Sequence, residues 1–188
     1  MSDQTSPFKS GFVAIAGKPN VGKSTLTNLL IGQPIAGVSA KPQTTRKRQL
    51  GILTTEAAQM IFVDTPGLHE PKDKLSQFIN AEAAFALKDA DLILFLVDGS
   101  QPPDEEDRKL AELVQEVEKE AAAILVINKI DLAEGKILAA NRKLYQALLP
   151  QAPVVQISAQ MAKGIPDLLQ KITELLPEGP RYFPEDQI

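Results

Sequence analysis

Residues 17–24 read Gly17-Lys18-Pro19-Asn20-Val21-Gly22-Lys23-Ser24 and satisfy the pattern G-x-x-x-x-G-K-[ST]. They follow the apolar run Phe12–Ala16 and open a stretch with helical periodicity, which is the strand–loop–helix setting that this phosphate-binding pattern requires. Glycines allow successive backbone N–H groups to face inward, and the positive end of the helix dipole adds to their field. We therefore predict that the whole loop and Thr25 line a site for nucleotide phosphates, with Lys23 reaching the β- and γ-phosphates and Ser24 giving its hydroxyl to Mg²⁺.

Apolar runs of strand length alternate with longer segments in which apolar residues recur at intervals of three and four. Several runs are apolar at successive positions, which is typical of strands buried on both faces of a parallel sheet. The sequence predicts an α/β fold, a three-layer domain with a mainly parallel six-stranded sheet and helices on both faces. The predicted strands are Phe12–Ala16, Lys47–Thr54 (an antiparallel edge strand, since the loop before it is too short for a crossover helix), Gln59–Asp64, Asp91–Asp98, Ala122–Asn128 and Pro153–Ile157. The predicted helices are Lys23–Ile31, Lys74–Lys88, Glu105–Lys119, Glu134–Leu148 and Ile165–Leu176.

Composition excludes several classes of function. The chain has no cysteine, so it forms no disulfide, thiolate metal site or cysteine nucleophile. Its net charge of −4 argues against a broad basic surface for coating nucleic acid. No apolar run approaches the ~20 residues of a membrane span, and we expect a cytoplasmic monomer.

The 188 residues suggest one domain over residues 1–176, followed over residues 177–188 by a linker or frayed tail that holds three prolines.

A carboxylate follows the next core strand in Asp64-Thr65-Pro66-Gly67. Because the carboxyl ends of parallel strands meet at one edge of a sheet, Asp64 should lie beside the phosphate loop and hold Mg²⁺ through a water. Gly67 can give its backbone N–H to the γ-phosphate, so that loss of this phosphate would release the segment.

The motif Asn128-Lys129-Ile130-Asp131 follows another core strand and indicates which base is bound. The Asp131 carboxylate can accept from both N1–H and the 2-amino group of guanine, whereas adenine offers an acceptor and a C–H there. Each such charge-assisted bond contributes ~1.5–3 kcal/mol. We expect Lys129 to lay its stem over the base and Asn128 to tie this loop to the phosphate loop. Farther on, Ser158 and Ala159 end the last strand, where the Ala159 N–H can meet guanine O6.

The order of G-x-x-x-x-G-K-S, D-T-P-G, N-K-x-D and S-A resembles the translation-factor class of P-loop GTPases. The segments P-Q-T-T-R (42–46), D-T-P-G-L-H (64–69) and R-Y-F-P-E-D-Q-I (181–188) are similar to the bacterial Era family in particular. This resemblance covers essentially the whole chain and implies a slow, Mg²⁺-dependent GTPase that binds GTP and GDP as a molecular switch. It also implies that one of Thr44 and Thr45, with Thr45 favoured, coordinates Mg²⁺ when the γ-phosphate is present.

Catalysis is harder to assign, because Leu68 stands where Ras-like proteins carry a water-orienting glutamine. His69 lies one residue beyond the histidine of translation factors, and a solvated loop histidine is the favoured interpretation. The resemblance suggests K⁺ as a fixed positive charge near the phosphates, because related GTPases with Asn at the position of Asn20 and a T-T-R switch often use it. The catalytic candidates are accordingly Lys23, Thr45, Gly67 and Asn20. The alternatives are a non-hydrolysing guanine-nucleotide-binding module, which Leu68 favours, and an ATP-dependent enzyme, which Asp131 opposes.

The Era resemblance further implies a role in assembly of the small ribosomal subunit, with binding to 16S rRNA through a C-terminal KH domain and peripheral association with the inner membrane. The sequence contains no G-x-x-G loop of that kind after Pro184. We therefore expect either an excised G domain or a protein without the KH domain, and the resemblance assigns the rRNA contact mainly to that domain. The basic run Lys41, Arg46, Lys47 and Arg48 could contact phosphate or RNA, but a solvated face is the favoured interpretation. The helix within Asp104–Glu120 is interpreted as a surface helix without function.

Overall fold

The structure is a computed structural model that describes residues 7–32, 49–63, 87–118 and 121–183. Six strands form one sheet in the order β2-β3-β1-β4-β5-β6, in which β2 and β3 are antiparallel and the other neighbours are parallel. The strands are β1 Lys9–Ala16, β2 Gln49–Thr54, β3 Ala58–Val63, β4 Leu92–Asp98, β5 Ala122–Asn128 and β6 Val154–Gln156. The predicted sheet, with its antiparallel edge strand, is confirmed.

Four helices are described in full, and they cover both faces of the sheet. They are α1 Lys23–Ile31, α2 Glu105–Val117, α3 Gly135–Leu148 and α4 Ile165–Leu175. Alternate residues of β1 enter different cores: Ala14 belongs to the cluster that contains apolar residues of α2 and α3, while Val13 and Ile15 belong to the cluster that contains those of α1 and α4. The fully apolar strands are explained by these two cores, because each strand is covered on both sides.

The observed elements differ from the predicted ones mainly at their ends. Strand β1 begins at Lys9, three residues before the apolar run, because its polar start still pairs with Ala58 of β3. Of the helix predicted over Lys74–Lys88, only Leu87 and Lys88 are described, and both are helical. No helix in the described ranges is long and apolar enough to cross a membrane.

The end of the described chain corrects one expectation. We expected a linker or frayed tail over residues 177–188, but residues 177–183 are bound to the sheet. The N–H of Ser10 donates to the Pro177 carbonyl at 3.1 Å. The buried Gln59 amide accepts from the N–H groups of Tyr182 and Phe183 at 2.8 and 3.0 Å and donates to the Phe183 carbonyl at 2.9 Å. Lack of periodicity excluded a helix here, but an extended segment can still be held through its backbone groups.

Candidate nucleotide-binding site

The loop between β1 and α1 has the backbone geometry that its glycines predict. Gly22 has φ of 104° and forms the N-cap of α1, and Asn20 also has a positive φ of 65°. A Cβ atom at Gly22 would lie 2.3 Å from Asn128 Nδ2, so glycine is required there for conformation and for space. Asparagine is among the residues that tolerate this left-handed region best. Backbone conformation thus accounts for two residues of the octapeptide, and the proximity of Asn128 adds a second requirement at Gly22.

A cavity of about 420 Å³ lies over this loop. It is lined by Pro19, Asn20, Gly22, Lys23, Ser24, Thr25 and Lys129. Lys23 is buried, and its Nζ donates to the carbonyls of Gly17 and Lys18, both at 2.7 Å. The structure therefore brings together the residues predicted to hold phosphate and one of those predicted to hold the base.

The residues present fit an anionic group. Gly22, the N-cap residue of α1, has no side chain to cap the helix, and the first turn carries no acidic residue. The first N–H groups of a helix have no partner within the helix, so an anion at this end would satisfy them and interact favourably with the helix dipole. Ser24 and Thr25 are exposed at the same helix end. An exposed serine at this position is what the predicted role of Ser24 as an Mg²⁺ ligand requires.

Asn128 connects the base loops to the phosphate loop. It is buried at the end of β5, where its Nδ2 donates to the Val21 carbonyl at 2.8 Å and its Oδ1 accepts from the Ala159 N–H at 2.9 Å. The predicted link between N-K-x-D and the phosphate loop is therefore present. The Ala159 N–H, which we predicted to meet guanine O6, is in this structure directed at Asn128. Ser158 is fully buried, and Asp131 is exposed in the turn after β5.

The Lys129 side chain is held by Asp98 at the end of β4. Its Nζ forms an ion pair with Asp98 Oδ2 at 2.8 Å, and its φ is 62°. Asp98 Oδ1 also accepts from the hydroxyl and the N–H of Ser100 at 2.6 and 2.9 Å. Burial raises the pKa of Asp98, but the bonds from Lys129 and Ser100 outweigh it and leave this pKa below its ordinary value. Sequence reasoning missed Asp98, although its place at the carboxyl end of a core strand was a usable signal.

Lys18 does not contribute its side chain to the cavity. Its Nζ pairs with Asp104 Oδ2 at 2.6 Å and with Asp107 Oδ2 at 2.8 Å, both in the first turn of α2 or at its N-cap. Burial lowers the pKa of Lys18, but these two carboxylates outweigh it and raise the pKa above its ordinary value. The bond from Lys18 is the main reason that the pKa of Asp104 is lowered to about 2. The helix over Asp104–Glu120, which we interpreted as surface without function, thus contacts the phosphate loop.

Several predicted site residues lie outside the described ranges. They are Thr44, Thr45, Asp64 and Gly67; Leu68 and His69, to which we assigned no site role, lie outside these ranges as well. The roles assigned to the first four in Mg²⁺ binding, γ-phosphate binding and catalysis stay predictions. Within the described ranges no group of three or more histidine, aspartate or glutamate side chains is arranged to hold a metal ion. The predicted Mg²⁺ binding by Ser24 does not require such a group, because this ion is commonly held by one or two protein ligands together with phosphates and water.

A glycine-rich loop at the carboxyl edge of a mainly parallel sheet, opening a helix and cross-linked by Asn128, defines a P-loop nucleotide-binding domain. The chain belongs to the family described as 50S ribosome-binding GTPase, whose model matches residues 12–129. It is 45% identical to GTPase Era of Clostridium perfringens over 96% of this chain and 60% of the relative. GTPase Era of Geobacter metallireducens is 41% identical over 99% of this chain and 61% of its own length. The chain thus spans about three fifths of the length of these relatives.

Solved structures support the same relationship. An Era structure in complex with MgGDPNP and part of 16S ribosomal RNA is 38% identical, with a TM-score of 0.76 over 95% of this chain and 61% of that chain. A variant of Aquifex aeolicus Era bound to GDP·AlF4⁻ is 36% identical, with a TM-score of 0.72 and the same coverage. The resemblance to Era that the motifs predicted is confirmed.

Proposed function

We propose that this chain binds GTP and GDP with Mg²⁺ and hydrolyses GTP slowly, as a molecular switch. The observation that carries the proposal is the Asn128 cross-link, which joins Val21 of the phosphate loop to Ala159 of the second base loop through two hydrogen bonds. A single buried side chain thereby fixes the distance between a phosphate site and a base site. That arrangement suits one ligand with phosphates at one end and a base at the other.

Guanine is the proposed base because Asp131 is an exposed carboxylate in the turn that Lys129 begins. The test is Asp131→Asn, which exchanges one acceptor oxygen for a donor. We expect GDP affinity to fall roughly tenfold to a hundredfold, as for loss of a charge-assisted hydrogen bond, while affinity for xanthosine diphosphate rises. Titration with fluorescent GDP and XDP measures both affinities. Unchanged GDP affinity in the variant would break the assignment of Asp131 to the base.

Hydrolysis is proposed to rely on electrostatic stabilisation by the phosphate loop and Lys23, since the chain offers Leu68 where a water-orienting glutamine would stand. Mg²⁺ supplies neutralisation of the charge on the phosphate oxygens when it is bound. The predicted switch ligands Thr45, Asp64 and Gly67 are assigned to Mg²⁺ and the γ-phosphate. Without a partner we expect turnover of about 10⁻⁴ to 10⁻² per second, as for unassisted GTPases.

K⁺ is the proposed source of further positive charge, and Asn20 is its proposed ligand in the described part of the chain. Asn20 is exposed and lines the cavity beside Lys23 and Ser24. Single-turnover hydrolysis should be compared in potassium and in sodium buffer, for wild type and for Asn20→Ala. We expect faster turnover of wild type in potassium than in sodium, and we expect Asn20→Ala to abolish this difference. Equal wild-type rates in both buffers would show that K⁺ does not assist hydrolysis. Negligible rates in both would favour the non-hydrolysing binding module instead.

The wider role is proposed from the relatives. One related Era structure contains 16S ribosomal RNA, and we propose that a protein with this domain acts in assembly of the small ribosomal subunit in the cytoplasm. We assign the RNA contact, and any peripheral association with the inner membrane, mainly to the part of the relatives that this chain does not span. We also propose that the chain itself is monomeric. Binding of a 16S rRNA 3′-end oligonucleotide to this chain should therefore be weak. The chain alone should elute from a sizing column at the position expected for 20.4 kDa.

A further inference from the structure

Lys18 connects the phosphate loop to α2 through an unusually buried arrangement. The side chain of Lys18 is 16% exposed, and Asp107, one of its two carboxylate partners, is fully buried. Helix α2 has an acidic N-cap and first turn, which its own dipole explains. The dipole does not explain why a lysine of another element lies against them.

The Asp107 side chain lies in a socket formed by Lys18, Asp104 and Tyr145, and all three donate hydrogen bonds to the same carboxylate oxygen. Its Oδ2 accepts from Lys18 Nζ at 2.8 Å, from the Asp104 N–H at 3.1 Å and from the Tyr145 hydroxyl of α3 at 3.3 Å. Its Oδ1 has no hydrogen-bond partner among the described residues. A buried carboxylate is costly unless a cation compensates it, and in this socket the cation is Lys18. The lysine is therefore bound where it can move little.

The backbone of the same lysine contacts the phosphate-binding residue. Lys23 Nζ donates to the carbonyls of Gly17 and Lys18. The side chain of Lys18 is thus anchored in α2 while its carbonyl holds Lys23. A shift of the Lys18 side chain away from Asp104 and Asp107 is therefore expected to disturb one of the two carbonyls that hold Lys23.

We propose that Lys18 is a positioning residue for nucleotide binding, which acts by fixing the carbonyl that holds Lys23. The inference rests on the proposed binding of guanine nucleotide. Direct attraction of phosphate by Lys18 is a weaker explanation, because two carboxylates neutralise its charge at 2.6 and 2.8 Å. The acidic start of α2 is therefore part of the support of the phosphate site.

The test is the dissociation rate of fluorescent GDP from wild type and from Lys18→Met. We expect dissociation about tenfold faster in the variant, as for loss of a charge-assisted contact. Lys18→Arg should restore the rate to within about threefold of wild type, since its guanidinium can also bridge two carboxylates. Lys109→Met removes the same charge from the exposed Lys109–Glu105 pair of α2 and should leave the rate unchanged.

Two further variants separate positioning from general stability. Asp104→Asn weakens the ion pair at the more exposed carboxylate, so it keeps the test available if Lys18→Met does not fold, and it should also speed dissociation. Tyr145→Phe removes a hydrogen bond from the same socket but leaves the ion pairs, so dissociation should stay within about twofold of wild type.

The preference for GDP over inosine diphosphate should be unchanged in Lys18→Met, because the base loops are untouched. Rates for Lys18→Met and Asp104→Asn that stay at the wild-type value would overturn the inference. So would equal acceleration in Tyr145→Phe, because that would show a merely structural role. If wild type itself fails to bind GDP, the proposed function falls instead, and that result is distinct from both.

Discussion

Asn128→Ala is the change whose effect can be worked out most directly from the structure. It leaves two buried groups without a partner, namely the carbonyl of Val21 and the N–H of Ala159, on residues that are 1% and 5% exposed. Each buried unsatisfied group costs roughly 1–3 kcal/mol, and partial entry of water lowers the sum, so we expect a loss of roughly 2–4 kcal/mol in the free energy of unfolding. For a chain of this length such a loss lowers the melting temperature by roughly 4–16 °C.

Asn141→Ala provides a matched control for this prediction. Asn141 is 5% exposed, and within the described residues its side chain makes one hydrogen bond, from Nδ2 to the Gly99 carbonyl at 2.9 Å. Its replacement by alanine removes the same atoms but only one such contact. Urea unfolding without nucleotide measures both variants, and Asn128→Ala should cost about twice as much. Equal costs would show that only one of the two Asn128 hydrogen bonds contributes to stability and would refute its role as a two-sided cross-link.

Three other perturbations have definite outcomes. Gly22→Ala combines a φ of 104° with a Cβ clash and should lower the free energy of unfolding by roughly 2 kcal/mol or more. The control is Gly135→Ala, whose Cβ would meet nothing within 4 Å and which should change this free energy by at most about 1 kcal/mol. Urea titrations measure both variants. Gln59→Leu should release the chain end, seen as faster amide hydrogen exchange at residues 182–183 with unchanged GDP affinity. The Asp104 pKa of about 2 lies below the unfolded value of about 3.9, so its ion pair contributes stability that is lost as pH falls from about 5 to 2. Unfolding free energy should therefore fall less steeply over that range in Asp104→Asn than in wild type.

The sequence predicted those parts of the fold that depend on local pattern. Strands such as β4 and β5 are apolar at nearly every position, and only a sheet covered on both faces buries such a run. The polar start of β1 at Lys9 was not predictable in this way, because its pairing depends on β3 and on the chain end, which are distant in sequence. The same distance explains why the attachment of residues 177–183 through Gln59 was missed.

At the site, ligand-facing residues were easier to predict than the residues that support them. The spacing of Gly17, Gly22 and Lys23 is imposed by the shape of a phosphate group, so it recurs as a readable pattern. Asp107 carries no such constraint, because a capping box explains an acidic residue three positions after Asp104 without reference to any other element. Its second role becomes visible only when Lys18 is seen to lie within 2.8 Å of it.

One short connection supports both halves of the proposed nucleotide site. The segment from Asp98 to Asp107 begins with the carboxylate that holds Lys129 and ends with the carboxylate that holds Lys18. Both lysines belong to motifs that contact ligand in the proposed function, one at the base and the other at the phosphates. Because Asp98 ends β4 and Asp107 lies in the first turn of α2, a displacement of this segment would be expected to disturb both contacts together. The conformation of this connection is therefore expected to influence retention of the whole nucleotide more than its selection by base.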